Sequence, residues 1–143
     1  MKARSRAEGT ATKERRRGSH SSIAIVDDDE SVRTALESLF KSLGFQTEGF
    51  ASAEGFLRSA CLGDSSCLIL DVRMPGMDGL ELQRQLAAAD CSIPIIFITA
   101  HTDEHTREQA LQAGAVDFLA KPFSEEALLT AVYLALETDG TGT

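Results

Sequence analysis

Residues 23 to 31 read IAIVDDDES, a short apolar run that ends directly in three consecutive aspartates. Adjacent like charges repel one another, and a buried carboxylate without a partner is costly, so these acids need a cation or full solvation. The apolar run is continuous, as in strands that are buried on both faces of a parallel sheet. This stretch therefore predicts a buried strand that delivers acidic side chains to its carboxyl end.

Short apolar runs and segments of helical period alternate from Ile23 onward. The pairs are IAIV with VRTALESLFKSL, FQTEGF with SAEGFLRSAC, CLILD with DGLELQRQLAAA, IPIIFIT with DEHTREQALQAG, and AVDFLA with SEEALLTAVYLAL. Such alternation indicates βαβ units and a parallel sheet. We therefore predict a doubly wound α/β fold, (βα)5, with a five-stranded parallel sheet in the order 2-1-3-4-5. The alternating pattern of FQTEGF is typical of an edge strand.

Helix ends and helix strength can also be read from the sequence. We expect Asp29, Glu30 or Ser31 to begin the first helix and Asp78 to cap the third, because acids and small polar side chains favour helix N-termini. Gly44 is expected to end the first helix. The fourth helical segment contains few large apolar residues, so we expect it to be held less firmly than the others.

Charge is distributed unevenly along the 143 residues. Residues 1–22 carry seven Lys or Arg and two Glu, a net charge of +5, whereas residues 23–143 carry seven Lys or Arg and twenty Asp or Glu, a net charge of −13. Residues 1–22 also lack Leu, Ile, Val and Phe, which predicts a disordered basic tail. This tail either contacts nucleic acid, folds back on the acidic domain or is a plain solvated extension. The remainder is expected to form one domain at 23–137 and a short C-terminal tail at 138–143.

Composition limits the partners and the compartment. An acidic folded part argues against direct binding of nucleic acid, which requires clustered Lys and Arg, and suits a divalent cation or a basic partner. Cys61, Cys67 and Cys91 form no CxxC pair, which is typical of reduced thiols. Since the longest apolar run is too short to span a bilayer and the N-terminus lacks a secretory apolar core, we predict a cytoplasmic protein without membrane contact.

Polar side chains recur where the predicted strands end. Asp27 and Asp28 end the first strand, Asp71 ends the third, Thr99 ends the fourth, and Lys121 follows the fifth. Because the carboxyl ends of parallel strands share one rim of the sheet, these groups should converge. The convergent carboxylates would repel one another unless a hard divalent cation lay between them. The pattern predicts a Mg²⁺ site with a lysine and a hydroxyl nearby, which is suited to phosphoryl chemistry.

The motifs VDDDE, LDVRMPGMDG, ITA and KPF occur in this order at helix-sized separations. They make residues 23–137 resemble the receiver domain of bacterial two-component response regulators. VRMPGMDG, ITAH and AGAVDF are similar to the FixJ-like class, whose members commonly carry a DNA-binding output domain; we expect none within this sequence. The resemblance implies a flavodoxin-like or CheY-like fold and a phospho-accepting signalling domain, with self-phosphorylation and autodephosphorylation but no enzymatic action on external substrates.

The resemblance also implies a role for each acidic residue. Asp71 would accept the phosphoryl group from the phosphohistidine of a sensor histidine kinase and form an acyl phosphate. Asp28 and Asp71 would bind Mg²⁺ directly, and Asp27 would act through water. The backbone carbonyl of Arg73 would supply a further oxygen ligand.

For the remaining site residues, the resemblance implies roles in binding the phosphoryl group, in the conformational switch and in setting the rate of phosphoryl hydrolysis. Lys121, held by a cis peptide bond to the following proline, and Thr99 would bind phosphoryl oxygens. Thr99 would also move toward the phosphoryl group while Phe118 turns inward, although the family often has Tyr at that position. Arg73 and His101 would border the phosphoryl group and tune its hydrolysis.

The resemblance to receivers further implies that phosphorylation changes the face formed by helix 4, strand 5 and helix 5, and that it promotes homodimerisation through helices 4 and 5. Two further hypotheses compete with this receiver interpretation. One is a small Mg²⁺-dependent phosphohydrolase that uses Asp71 on external substrates, although the sequence offers no second general acid after Asp71 and no cap insertion. The other is an interaction module that docks through helices 4 and 5 without phosphorylation. The sequence leaves the cognate kinase, the output and the oligomeric state open.

Overall fold

The computed structural model of the chain describes residues 21–59, 65–101 and 103–141. Nearly all of the basic tail predicted at residues 1–22 lies outside the described residues, and so does Cys61. Among the helices of these ranges, none is long and apolar enough to cross a membrane.

Strands and helices alternate along the described part of the chain. The strands are β1 (Ser22–Val26), β2 (Gln46–Phe50), β3 (Cys67–Asp71), β4 (Ile95–Thr99) and β5 (Asp117–Ala120). The helices are α1 (Glu30–Ser42), α2 (Ala53–Leu57), α3 (Gly79–Ala88), α4 (Glu104–Gln112) and α5 (Glu125–Thr141). All strand pairs are parallel, and the sheet order is β2-β1-β3-β4-β5. The predicted α/β fold and strand order are confirmed.

Helices cover both faces of the sheet, and successive side chains of its inner strands point to opposite faces and so enter two different cores. Along β1, Ala24 and Val26 pack in a core with residues of α2, α3 and α4. Ile23 and Ile25 pack in a second core with residues of α1 and α5. Every residue of β3 and β4 is buried, which accounts for their continuous apolar sequences, whereas the edge strand β2 is partly exposed.

Side chains and a glycine define the helix ends as predicted. Asp29 is the N-cap of α1 and Asp78 is the N-cap of α3, each accepting a hydrogen bond from a backbone N–H in the first turn. Gly44, with φ of 95°, follows the C-cap of α1, and its N–H donates to the carbonyl of Lys41. The positive φ is accessible to glycine without strain, so the chain turns sharply there into β2.

The end of one helix, α5, differs from the sequence-based prediction, whereas the burial of another, α4, agrees with it. α5 runs to Thr141 and so extends into the segment assigned above to a tail at 138–143; the apolar pattern ends at Leu136, so periodicity gave no signal for the last turn. In α4, Ala110 is the fully buried residue within the described helix. This helix is thus held by little apolar burial, as predicted.

Candidate functional site

Parallel register brings the ends of four strands, β1, β3, β4 and β5, to one rim of the sheet. The register pairs are Val26 with Leu70, Asp71 with Ile98, and Thr99 with Ala120. Asp27 therefore emerges beside Asp71, and Lys121 emerges beside Thr99, to whose carbonyl the Lys121 N–H donates at 2.7 Å. The rim predicted from the strand ends is the place where these side chains meet.

A cluster of three carboxylates occupies this rim. Asp27, Asp28 and Asp71 each offer an oxygen, and these atoms lie within 4.8 Å of one another. Asp27 is completely buried and Asp71 is 5% exposed, whereas Asp28 faces solvent. The negative charge of Asp27 is partly compensated on one side by the backbone N–H of Asp29, which donates to Oδ1 of Asp27 at 2.9 Å. The structure thus brings together the three acids that the sequence singled out.

Lys121 reaches into the cluster from the other side. Its Nζ donates to Oδ2 of Asp27 at 2.9 Å and lies 3.7 Å from Oδ2 of Asp71. The peptide bond between Lys121 and Pro122 is cis, as expected. With 20% of its side chain exposed, the ammonium group is largely enclosed, so its interaction with the buried acids is weakly screened.

The electrostatics of the cluster are set by burial and by unequal numbers of charges. Burial and then the charge of Asp27 raise the pKa of Asp71 to about 6, against the opposing effects of Lys121 and the N–H of Arg73. Burial acts to lower the pKa of Lys121, but the hydrogen bond to Asp27 and the surrounding carboxylates raise it overall. Lys121 is therefore a cation, and three carboxylates face one ammonium group.

The donor set fits Mg²⁺. Hard divalent cations take oxygen ligands, and the cluster supplies carboxylate oxygens together with excess negative charge. Arg73 lies beside Asp71, since its backbone N–H donates to Oδ1 of Asp71 at 3.3 Å, while its side chain is exposed. The cluster formed by Asp27, Asp28 and Asp71 is therefore a candidate magnesium site, with the backbone of Arg73 adjacent to it.

Thr99, His101 and Phe118 lie at the end of β4 and in β5. Thr99 is completely buried; its hydroxyl donates to the carbonyl of His101 at 3.0 Å and accepts from the His101 N–H at 3.1 Å. The side chain of His101 is exposed. Phe118 is 7% exposed, and its ring lies 6.1 Å from that of Phe97. Their switching and tuning roles stay predictions, with Phe118 packed in the core in this structure.

Sequence reasoning missed three residues that support the rim. Arg33 donates from Nη1 to the backbone carbonyl of Asp27 at 2.8 Å, and Glu54 accepts from the backbone N–H of Met77 at 3.1 Å. Both are long side chains on helices, where periodicity predicts solvent exposure and gives no sign of a partner. Gly79 begins α3 so close to β3 that a Cβ there would collide with the carbonyl oxygen of Asp71. The sequence signal that could have identified this contact is that Gly79 directly follows the helix cap Asp78.

A parallel sheet with an acidic cluster at its carboxyl rim is the architecture of a doubly wound ligand-binding domain. The sequence profile of the response regulator receiver domain matches residues 23–133. The chain therefore belongs to the receiver domain family of two-component response regulators, as its motifs predicted.

Characterised relatives and solved structures agree with this assignment. Response regulator protein TodT of Pseudomonas putida is 53% identical over 119 residues, which are 80% of this chain and 51% of TodT. Nodulation protein W of Bradyrhizobium diazoefficiens is 47% identical over 117 residues, 82% of this chain and 52% of that protein. The crystal structure of FixJ-N is 40% identical with a TM-score of 0.73, across 82% of this chain and 94% of that one. The chain spans about half the length of these curated relatives.

Proposed function

We propose that Asp71 accepts a phosphoryl group from the phosphohistidine of a cognate sensor histidine kinase. The observation that carries this proposal is a nearly buried Asp71 carboxylate with Asp27 and Asp28 within 4.8 Å and the Lys121 ammonium group 3.7 Å away. In the step, an Asp71 oxygen forms a P–O bond while the P–N bond of phosphohistidine breaks, and the electron pair of that bond returns to the imidazole nitrogen. Since Asp71 has a pKa of about 6, it is mostly ionised at neutral pH and needs no general base.

Magnesium is the cofactor that this donor set suits. Asp28 and Asp71 would hold the ion directly, Asp27 through water and Arg73 through its backbone carbonyl. When bound, Mg²⁺ neutralises negative charge that accumulates on phosphoryl oxygens. The alignment of the acceptor falls to the chain itself: the Arg73 N–H orients one Asp71 oxygen, and burial keeps bulk water from the carboxylate.

Lys121 and Thr99 would bind the phosphoryl group once it is attached. Lys121 is already directed at both buried acids, and a phosphoryl group on Asp71 offers it a further anionic partner. Thr99 must exchange its hydrogen bond to the His101 carbonyl for one to a phosphoryl oxygen. That exchange would change the chain after β4 and alter the face formed by α4, β5 and α5, while Phe118 would repack from its place against Phe97 toward the space that Thr99 leaves.

This altered face is proposed to control a partner, an output domain or a second copy of the chain. The phosphorylation-dependent homodimer would form through α4 and α5. We place the switch in the cytoplasm and assign it no membrane contact and no direct nucleic-acid binding by the folded domain. Arg73 and His101, whose side chains are exposed next to the rim, would tune the phosphoryl lifetime by hindering an attacking water.

Intact mass spectrometry after incubation with acetyl phosphate tests the acceptor role. Wild type should gain one phosphoryl group in the presence of Mg²⁺ and none with chelator, and Asp71→Asn should gain none under either condition. Steady release of phosphate from an ester without self-limiting labelling would instead favour a phosphohydrolase. Folded protein that binds Mg²⁺ but never becomes labelled would favour the phosphorylation-independent module.

A further inference from the structure

Glu54 connects α2 to the loop that follows the acceptor strand. Its Oε2 accepts a hydrogen bond from the backbone N–H of Met77 at 3.1 Å, a contact between residues 23 positions apart in the sequence. The same carboxylate lies against Gly76: a Cβ built there would be 2.8 Å from Oε2 of Glu54. One side chain therefore contacts two consecutive residues of the loop between β3 and α3.

The helix that carries Glu54 is itself firmly placed. Ser52 caps α2 and accepts the N–H of Gly55 at 3.0 Å, and Ala53 and Phe56 on either side of Glu54 are completely buried. Hydrogen bonds from its own N–H and from that of Met77 lower the pKa of Glu54. The carboxylate is thus an ionised acceptor on a fixed support.

The loop that Glu54 contacts also bears the backbone of the candidate metal site. It is fixed at its start by the Arg73 N–H, which donates to Asp71, and at its end by the Gly79 N–H, which donates to the Val72 carbonyl at 2.9 Å. Between these points Gly76 has φ of 77°, and the chain bends at residues 75–77. Glu54 binds at that bend.

We propose that Glu54 is a positioning residue for the magnesium site: by holding Gly76 and Met77, it fixes the loop whose Arg73 carbonyl binds the metal. This inference rests on the proposed function for the identity of the ligand. A carboxylate that holds a backbone N–H from a second element restricts the loop in a way that a solvating water does not, since water moves with the loop. Glu54 itself touches neither the metal nor the phosphoryl group.

The test compares Glu54→Ala and Glu54→Gln with wild type by calorimetric titration with MgCl₂ and by amide hydrogen exchange of the metal-free protein. Glu54→Ala should weaken Mg²⁺ binding about 3- to 10-fold, somewhat less than loss of a direct ligand partner, and should speed exchange of the Met77 amide. Glu54→Gln keeps an acceptor oxygen and should recover most of both losses. Glu104→Ala is the matched control, because Glu104 is a first-turn acid whose ion pair is with Arg107 of the same helix.

The outcomes separate this inference from the acceptor proposal. If wild type binds no Mg²⁺, the proposed function fails, whereas the Met77 amide still reports whether Glu54 holds the loop. If Glu54→Ala lowers the melting temperature but binds Mg²⁺ as tightly as wild type and Glu104→Ala do, Glu54 is a structural residue and the positioning role is wrong. Equal weakening in Glu104→Ala would overturn it too, since general charge loss would explain the result.

Discussion

The surroundings of Asp71 disfavour the charged form of its carboxyl group and raise its pKa. Its carboxylate is nearly buried, lies beside Asp27 and is only partly compensated by Lys121 at 3.7 Å. Lys121 is closer to Asp27, at 2.9 Å, so the stronger of its two contacts goes to the neighbouring acid. An ionised carboxylate in this position is destabilising, and ligands that neutralise it should bind with a gain in stability.

The pH dependence of stability should reveal this destabilisation in chelator-treated protein. The pKa of Asp71 is raised from 3.8 to about 6 in the folded state, so between these values the native state binds more protons than the unfolded state. Stability from this group is therefore lost as pH rises through that window. Asp71→Asn removes the loss, so the variant should be more stable than wild type by on the order of 2 kcal/mol at about pH 8 and by little at about pH 4. Urea unfolding at both pH values measures the difference.

A change of one surface charge must not produce the same effect. Glu108→Gln alters an exposed acid on α4, away from the cluster, and should leave the difference from wild type nearly constant across this pH range. An Asp71→Asn variant whose advantage is equally large at acidic pH would mean that the gain comes from something other than carboxylate ionisation. Saturating Mg²⁺ should reduce the advantage, because the ion stabilises the wild-type carboxylates.

At the level of single residues, the sequence predicted which acids would meet but not what would hold them. Asp27, Asp28 and Asp71 could be found because each sits at the end of an apolar strand, and parallel strands share one rim. Glu54 and Arg33 could not, because their partners are backbone atoms of loops: the N–H of Met77 for Glu54, and the carbonyl of Asp27 for Arg33. Such contacts depend on how the helices pack against the sheet, and no local sequence pattern predicts this packing.

At the level of elements, α3 begins in close contact with β3. The N–H of Gly79 donates to the carbonyl of Val72, and a Cβ on Gly79 would collide with the carbonyl oxygen of Asp71 and lie 3.1 Å from both Phe97 and Val72. Backbone atoms cannot move aside as a flexible side chain does. The absence of a side chain at this position thus lets α3 begin directly against β3.

Gly79→Ala should destabilise the protein by about 1–3 kcal/mol, because α3 must shift away from β3. Higher helix propensity of alanine offsets at most about 1 kcal/mol of this loss. Gly55→Ala on α2 is a suitable control, since its Cβ would approach only the side-chain Oγ of Ser52, at 3.2 Å, and a shift of a few tenths of an ångström lets this hydroxyl keep its cap hydrogen bond from the Gly55 N–H. Thermal and urea unfolding of both variants measure the contrast; Gly79→Ala with wild-type stability would show that the approach is looser than described.

The elements themselves were predictable to different degrees for physical reasons. β3 and β4 are buried throughout, so their continuous apolar runs identified them, and the alternating sequence of β2 identified an edge strand. The end of α5 was not predictable, because its last turn follows Leu136, where apolar periodicity stops. α2 comprises Ala53–Leu57, and a helix of this length offers too few turns for periodicity to define its end.

On the scale of the whole molecule, charge opposes self-association. Residues 23–143 carry seven basic and twenty acidic side chains, a net charge of −13, so two copies repel one another unless salt screens them. The proposed dimer face nevertheless contains Arg107 of α4, whose side chain is 48% exposed. A basic side chain on this acidic surface can pair with acidic side chains of a second copy. The proposed dimer face would then have a local attraction that the molecule as a whole lacks.

Sedimentation velocity with and without beryllofluoride and Mg²⁺ tests the proposed homodimer. Wild type should be a monomer alone and a dimer with the phosphoryl mimic, with tighter association at about 0.3 M than at about 0.03 M salt because screening reduces the general repulsion. Arg107→Glu should weaken the dimer at least about tenfold by making the face uniformly acidic, whereas Arg58→Glu, the same charge change at the exposed end of α2, should retain it. Monomers under all conditions would refute the dimer, and equal weakening by the two variants would refute its location on α4, because only net charge would then matter.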